Sequence, residues 1–379
     1  MTLDVVPMKI PGVFAALALS LVPVLGGQEP FYVGTYTDHN SSKGIYEGTI
    51  DSVTGKLGPI TPAVAATDPS FLALSPKGDA LYAAEETPGT GVVQAFRRAS
   101  DGSLTALNSE PAGGNGTCHV SVDPSGRDVL VANYGSGTIA CFQIAPGGAL
   151  GAQTALVQFK GSGPNLARQA APHAHSIYTS PDDAYVYACD LGTDHVWIFK
   201  FDPATGTLQA AALPAAEVPP GSGARHLAFG RDGRDVYVAN EMGDSVTFFA
   251  RDPKSGALTP QQTVSALPTG RPEMNTTTAE VVLHPNGRWL YVSNRGNDTI
   301  STFSVASFGQ LKLIQNIAAG VKVPRSMAID PSGRWMIAVG QNDGRLEVLK
   351  IDPATGKLSS TTNEAQVPSP VCVLFEPKG

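Results

Sequence analysis

A chain of 379 residues with 42% hydrophobic content can bury a large core, and a formal charge of −7 gives no basis for nucleic-acid binding. No run of Lys or Arg marks a membrane-surface contact. The 41 glycines and 30 prolines, with no long amphipathic period, point to many short strands joined by turns.

The chain opens on a targeting pattern. Met8-Lys9 precedes an apolar stretch at 13–25, and the small residue Gly26 sits at the expected cut. Residues 1–26 therefore read as a signal peptide and 27–379 as one domain. The apolar stretch is too short to span a bilayer comfortably. The mature protein is expected to be exported, periplasmic or extracellular, with no stable membrane span.

Beyond the cut, Phe31-Tyr32-Val33-Gly34-Thr35-Tyr36 reads as a strand. A phrase then recurs. Its turn is Pro76-Lys77-Gly78, Pro124-Ser125-Gly126, Pro181-Asp182-Asp183, Arg231-Asp232-Gly233, Pro285-Asn286-Gly287 and Pro331-Ser332-Gly333, at intervals of 48, 57, 50, 54 and 46 residues. A short apolar run precedes each turn, and a β-branched or aromatic run follows it. Third strands follow at 138–143, 195–200, 245–249 and 299–303. Hairpins such as Asp202-Pro203-Ala204-Thr205-Gly206 then lead to a polar fourth strand. Four antiparallel strands per repeat make a β-propeller blade. The chain ends on another copy of the turn, Glu376-Pro377-Lys378-Gly379, 46 residues after Gly333. The C-terminus thus supplies the first strand of a blade whose other strands come from the N-terminus. The expected fold is all-β, a seven-bladed propeller with its last blade closed by both chain ends.

In a hairpin, the residues before the first strand and after the second meet at one edge. First strands line a propeller's channel, so these positions form a ring at one mouth. The ring holds His119, His175, Arg225, His226, Glu241, Glu280, Arg295 and Arg325, with His173 just outside. Asn133, Tyr134, Asn240 and Asn294 occupy the same edge. Residue types differ from blade to blade, and a purely structural position in a repeat tends to be filled alike. Differentiation therefore suggests a site, to which the loops at 161–172, 219–223 and 269–278 would contribute. Blander readings exist for each member. Arg225 and Glu241 could simply tie two strands, His175 could be satisfied by loop backbone, and the asparagines could cap strand ends. His173-Ala174-His175 on a strand would put both rings on one face, but no third ligand at fixed spacing accompanies them, so no metal is assigned. His39, His195 and His284 read as surface or turn residues. Cys118, Cys141, Cys189 and Cys372 have no paired spacing and are expected as buried thiols.

Cys118-His119-Val120, the Ala-Asn-Tyr-Gly-Ser-Gly run at 132–137, the Ala-Pro-His-Ala-His-Ser run at 171–176, the Gly-Ala-Arg-His-Leu-Ala-Phe run at 223–229, Val238-Ala239-Asn240-Glu241, Thr278-Ala279-Glu280 and the Tyr-Val-Ser-Asn-Arg-Gly run at 291–296 carry a resemblance. Together they resemble the seven-bladed lactonase family, which includes propeller-type 6-phosphogluconolactonases and fungal 3-carboxy-cis,cis-muconate lactonising enzymes. The resemblance covers essentially the whole chain from Phe31 on. It implies that His175, Arg225, Glu241 and Arg295 are catalytic. His119, Asn133, Tyr134, His173, His226, Asn240, Glu280, Asn294 and Arg325 are then expected to contact substrate. The implied activity is hydrolysis of an anionic sugar lactone without cofactor or metal. Arg225, Arg295 and Arg325 would grip a carboxylate or phosphate. Glu241 or His175 would act as base. A muconate-type cycloisomerase and a non-catalytic binding propeller are the alternatives. The export signal departs from the pattern, because phosphorylated sugar lactones belong to the cytosol.

Overall fold

The computed structural model describes residues 27–38, 40–270 and 272–376, so the expected signal peptide and His39 lie outside the described residues. The chain forms seven four-stranded antiparallel sheets. Their inner strands are Pro69–Leu74 (blade 1), Thr117–Val122 (blade 2), Ala174–Thr179 (blade 3), Ala224–Phe229 (blade 4), Thr277–Leu283 (blade 5), Pro324–Ile329 (blade 6) and Pro370–Phe375 (blade 7). Each inner strand touches the next around a closed ring. Blade 7 pairs the C-terminal strand with Gln28–Thr35, setting Phe31 opposite Phe375 and Val33 opposite Val373. These four side chains pack with Trp335 of blade 6, so the closure is stabilised by apolar burial as well as ladder hydrogen bonds. The expected fold is therefore the observed one. No helix among the described residues is long and apolar enough to cross a membrane.

The turns do more than reverse the chain. Gly55, Gly256 and Gly356 have φ near +70°, and a Cβ there would lie within 2.2–2.6 Å of Trp335, Tyr185 and Trp289 of the neighbouring blade. Only glycine allows both that conformation and that approach. At the mouth end, Asp194, Asp244 and Asp298 adopt positive φ in the turn between second and third strands. Each carboxylate reaches the loop entering the next blade. Asp194 accepts from the Gly223 N–H at 2.7 Å and from Gln169 Nε2 at 2.8 Å, and Asp298 accepts from the Val323 N–H at 2.8 Å. The mouth loops are thereby fixed to the blades. All four cysteines are buried and unpaired, as their apolar settings predict.

One feature recurs in all seven inner strands. Near the mouth the pairing slips, leaving Ser70, Cys118, His175, Arg225, Arg325 and Val371, and in blade 5 both Ala279 and Glu280, outside the ladder. A bulge turns a side chain out of the normal alternation and re-aims it. Here it turns Cys118, His175, Arg225 and Arg325 toward the mouth.

Candidate active site

The mouth contains a cavity of 280 Å³ lined by His175, Glu241, Arg168, Arg295, Arg325, Tyr36, Glu86, Cys118, Tyr134, Gly116 and Gly135. Larger clefts of 430 and 480 Å³ lie among hairpin-turn residues, and neither holds a histidine or more than one arginine. Convergent chemistry, rather than volume, singles out the mouth.

Glu241 is its hub. The Glu241 N–H donates to the Gly223 carbonyl at 2.7 Å, and its carbonyl accepts from the Thr278 N–H at 3.0 Å, so blades 4 and 5 both hold its backbone. Its Oε2 accepts from Arg225 Nε at 3.0 Å and lies 3.0 Å from Arg295 Nη2. Its Oε1 accepts from Arg168 Nη2 at 2.8 Å. Arg225 is fully buried and spends Nη1 on the Ala279 carbonyl at 2.7 Å, which fixes the guanidinium plane. Burial alone would raise the Glu241 pKa, but Arg295, Arg225 and Arg168 override it and hold the carboxyl at about 2.

His175 stands beside this cluster, its Nε2 3.8 Å from Glu241 Oε2, beyond hydrogen-bond reach. Its ring is fixed between Tyr134 and His226, at centroid distances of 5.4 and 5.2 Å. Cys118 Sγ lies 3.9 Å from its Nδ1 and 3.3 Å from its carbonyl oxygen. Burial, then the charges of Arg225, His226 and Arg325, push the His175 pKa well below the usual imidazole value. His175 is therefore neutral at neutral pH and can accept a proton. On the opposite wall, Arg325 lies over the Tyr36 ring at 5.5 Å and 3.6 Å from Glu86, which accepts from the Tyr36 hydroxyl at 3.1 Å.

A family model described as "Lactonase, 7-bladed beta-propeller" matches residues 30–375. The chain belongs to that lactonase family. It is 33% identical to the 6-phosphogluconolactonase of Bacillus subtilis over 346 residues, which cover 91% of this chain and 97% of the relative. It is 31% identical to the 6-phosphogluconolactonase of Formosa agariphila, covering 89% of this chain and 96% of that one. Among solved structures, the periplasmic gluconolactonase of Pseudomonas aeruginosa superposes with a TM-score of 0.86 at 30% identity, covering 92% of this chain and 99% of that one.

The mouth gathers fewer than half of the thirteen residues singled out in the sequence. His175, Glu241, Arg295, Arg325 and Tyr134 line the cavity, and Arg225 lies directly behind Glu241. His119, His226 and Glu280 lie deeper in the channel and do not line it. His119 stacks on Phe71 at 4.2 Å and lies 5.3 Å from His226, whose Nδ1 is 3.0 Å from Glu280 Oε1. The expected single ring is thus two layers: in blades 2 and 4 the bulged residue, Cys118 or Arg225, turns to the mouth and its successor, His119 or His226, faces the channel, whereas Glu280 joins the deeper layer from within the blade 5 bulge. Asn133, Asn240 and Asn294 do not reach the cavity either. Their amides donate to nearby strand-end groups, to the Ala112 carbonyl and Thr138, to Ser245 and Thr247, and to Thr299 and Ser301. They clamp strand ends. His173 precedes the strand that carries His175 and does not line the cavity. It stacks on Tyr134 at 4.5 Å, and its Nδ1 lies 2.9 Å from the Tyr134 carbonyl. Tyr36, Glu86 and Cys118, which flank the hairpins in the sequence but were not counted among the site residues, also line the cavity, as does Arg168. Arg168 is the only charged residue at 161–172, the one signal that marked it.

The deeper layer has its own electrostatics. Burial raises the Glu280 carboxyl from 4.5 to about 7, despite Arg225 nearby. The unfolded state releases this proton near pH 4.5, while the folded state keeps it to about pH 7. Stability therefore falls as pH rises through that window. Glu280→Gln removes the effect. Its stability relative to the parent should rise from pH 4.5 upward and level off above pH 7, by about 3 kcal/mol, in urea denaturation at pH 5 and pH 8.

Proposed function

We propose that this protein is a lactone hydrolase acting at the channel mouth, with a 6-phosphogluconolactonase-like preference for an anionic sugar lactone. The observation that carries the reading is a neutral histidine and a carboxylate beside converging guanidiniums in one cavity. Arg168, Arg225, Arg295 and Arg325 outnumber Glu241 and Glu86 there, so an anionic substrate would compensate the excess positive charge. Arg295 Nε is buried without an acceptor among the described residues, a donor left over for a ligand.

The mechanism follows from protonation states. Water bound by His175 gives a proton to its Nε2 as the oxygen attacks the lactone carbonyl. The Glu241 carboxylate stabilises the imidazolium that forms. Arg295 or Arg325 receives the developing oxyanion, a contribution of about 3–4 kcal/mol in other sites. The acyl–oxygen bond then breaks, and the imidazolium returns its proton to the departing ring oxygen. The product is the open-chain hydroxy acid, and the histidine is again neutral. Among the described residues, no group of three or more His, Cys, Asp or Glu could hold a metal ion.

The N-terminal pattern and the periplasmic relative both support export. Export favours an unphosphorylated substrate and the arginines a phosphorylated one. A panel of 6-phosphogluconolactone, gluconolactone and a muconolactone, assayed with and without chelator, tests the function. The expected result is chelator-insensitive hydrolysis of a sugar lactone above its spontaneous rate. No turnover by a folded protein would sink the hydrolase reading.

A further inference from the structure

Glu241 is held by arginines of two different kinds. Arg225 and Arg295 sit on blade strands, with side chains 2% and 16% exposed. Arg168 comes from the inserted loop, and its side chain is 42% exposed. The loop is anchored beside it, not at it. Gln169 is buried and donates to the Leu191 carbonyl and to Asp194 Oδ1, both at 2.8 Å. The Arg168 backbone is therefore fixed, while its guanidinium is the most exposed of the three that meet Glu241. The partners also divide by oxygen. Arg225 and Arg295 both act on Oε2, the oxygen nearest His175. Among the described residues, Oε1 takes its hydrogen bond from Arg168 alone. Among the described residues, the other group that the Arg168 guanidinium is seen to meet is the Tyr134 hydroxyl, at 3.2 Å.

We propose that Arg168 is the specificity-determining residue, a removable cap on Glu241. An anionic group on the substrate, remote from the scissile ester, draws the guanidinium off Oε1, and a lactone without that group leaves the carboxylate capped. The inference rests on the lactonase reading and deepens it. The consequence is electrostatic. His175 faces Arg225, Arg325 and His226, which disfavour its protonated form, with Cys118 on its other side and Glu241 as the neighbouring anion. While Arg168 neutralises part of Glu241, little negative charge remains to stabilise an imidazolium. Moving Arg168 onto a substrate phosphate restores that charge and adds a dianion to the mouth. Both changes strengthen His175 as a base. The phosphate then acts on kcat and not only on KM, because its binding energy is used to arm the reacting group.

The test compares 6-phosphogluconolactone and gluconolactone with the full-length enzyme and Arg168→Ala, adding free phosphite dianion to the gluconolactone assay. In the parent enzyme, phosphite should raise kcat on gluconolactone at least about threefold and move the acid limb of the pH profile upward. In Arg168→Ala the phosphite effect should vanish. The acid limb should already lie higher, and kcat on gluconolactone should exceed the parent value. On 6-phosphogluconolactone, kcat/KM should fall roughly 10- to 100-fold, the loss of one charge-assisted contact. Equal losses on both substrates with an unmoved acid limb would overturn the proposal, as would a parent enzyme indifferent to phosphite. Hydrolysis of neither lactone by the parent would overturn the lactonase reading beneath it, so the two failures are told apart.

Discussion

Glu241→Gln should lower kcat on the preferred lactone by about 10³-fold or more while strengthening the binding of anionic product. The two effects have opposite signs for one reason. Three guanidiniums surround this carboxylate in the free enzyme, so it competes with any anion for the same donors. Removing its charge takes away the competitor, and product affinity should rise by about tenfold or more, the equivalent of 1.4 kcal/mol. The same change leaves Arg225 buried without its counter-ion, at a cost of roughly 3–5 kcal/mol in stability. Added phosphate should restore part of that loss, because it binds the folded state alone. Isothermal titration with 6-phosphogluconate and thermal melts with and without phosphate measure both. Weaker product binding in the variant would mean that Glu241 is not a competitor but part of the anion's own contacts.

His175→Ala is the second large effect. If His175 carries the proton, kcat should fall about 10²- to 10⁴-fold with KM for the phosphorylated lactone nearly unchanged, because the arginines remain. The pH profile separates this from a packing defect. In the parent, activity needs neutral His175, so the rate should fall only as pH drops well below the usual imidazole value, in the direction of its depressed pKa. In the variant that limb should be absent. His175→Gln keeps more of the buried volume and should behave the same way. A variant with a large KM increase and an unaltered acid limb would assign the proton transfer to another group.

The propeller is legible in the sequence because its determinants are local. Turns such as Pro285-Asn286-Gly287 set the register, and each is followed by a buried second strand. The closure joins Phe31 and Phe375, far apart in the chain, and is legible because the C-terminal residues repeat the turn and Phe31 opens the strand that should follow it. The bulges are not legible. A residue dropped from the ladder changes pairing without changing the order of residue types, so Arg225 and His226 look alike in sequence. Only the structure sends one to the mouth and the other to the channel. The asparagines show a signal misread. Asn133, Asn240 and Asn294 fill one repeat slot with one residue type, the mark of a structural position, and they clamp their blades accordingly. Arg168 follows no repeat period, because an inserted loop has none. It enters the site through the fold of that loop around Gln169.

A crystal structure of Glu241→Gln with 6-phosphogluconate tests most directly whether the mouth is the catalytic site. The product should lie in the mouth cavity, with its phosphate on Arg168 and Arg325 and its new carboxylate beside His175 and Arg295. Product bound at one of the hairpin-end clefts, or held in the mouth with no contact to His175, would contradict that assignment.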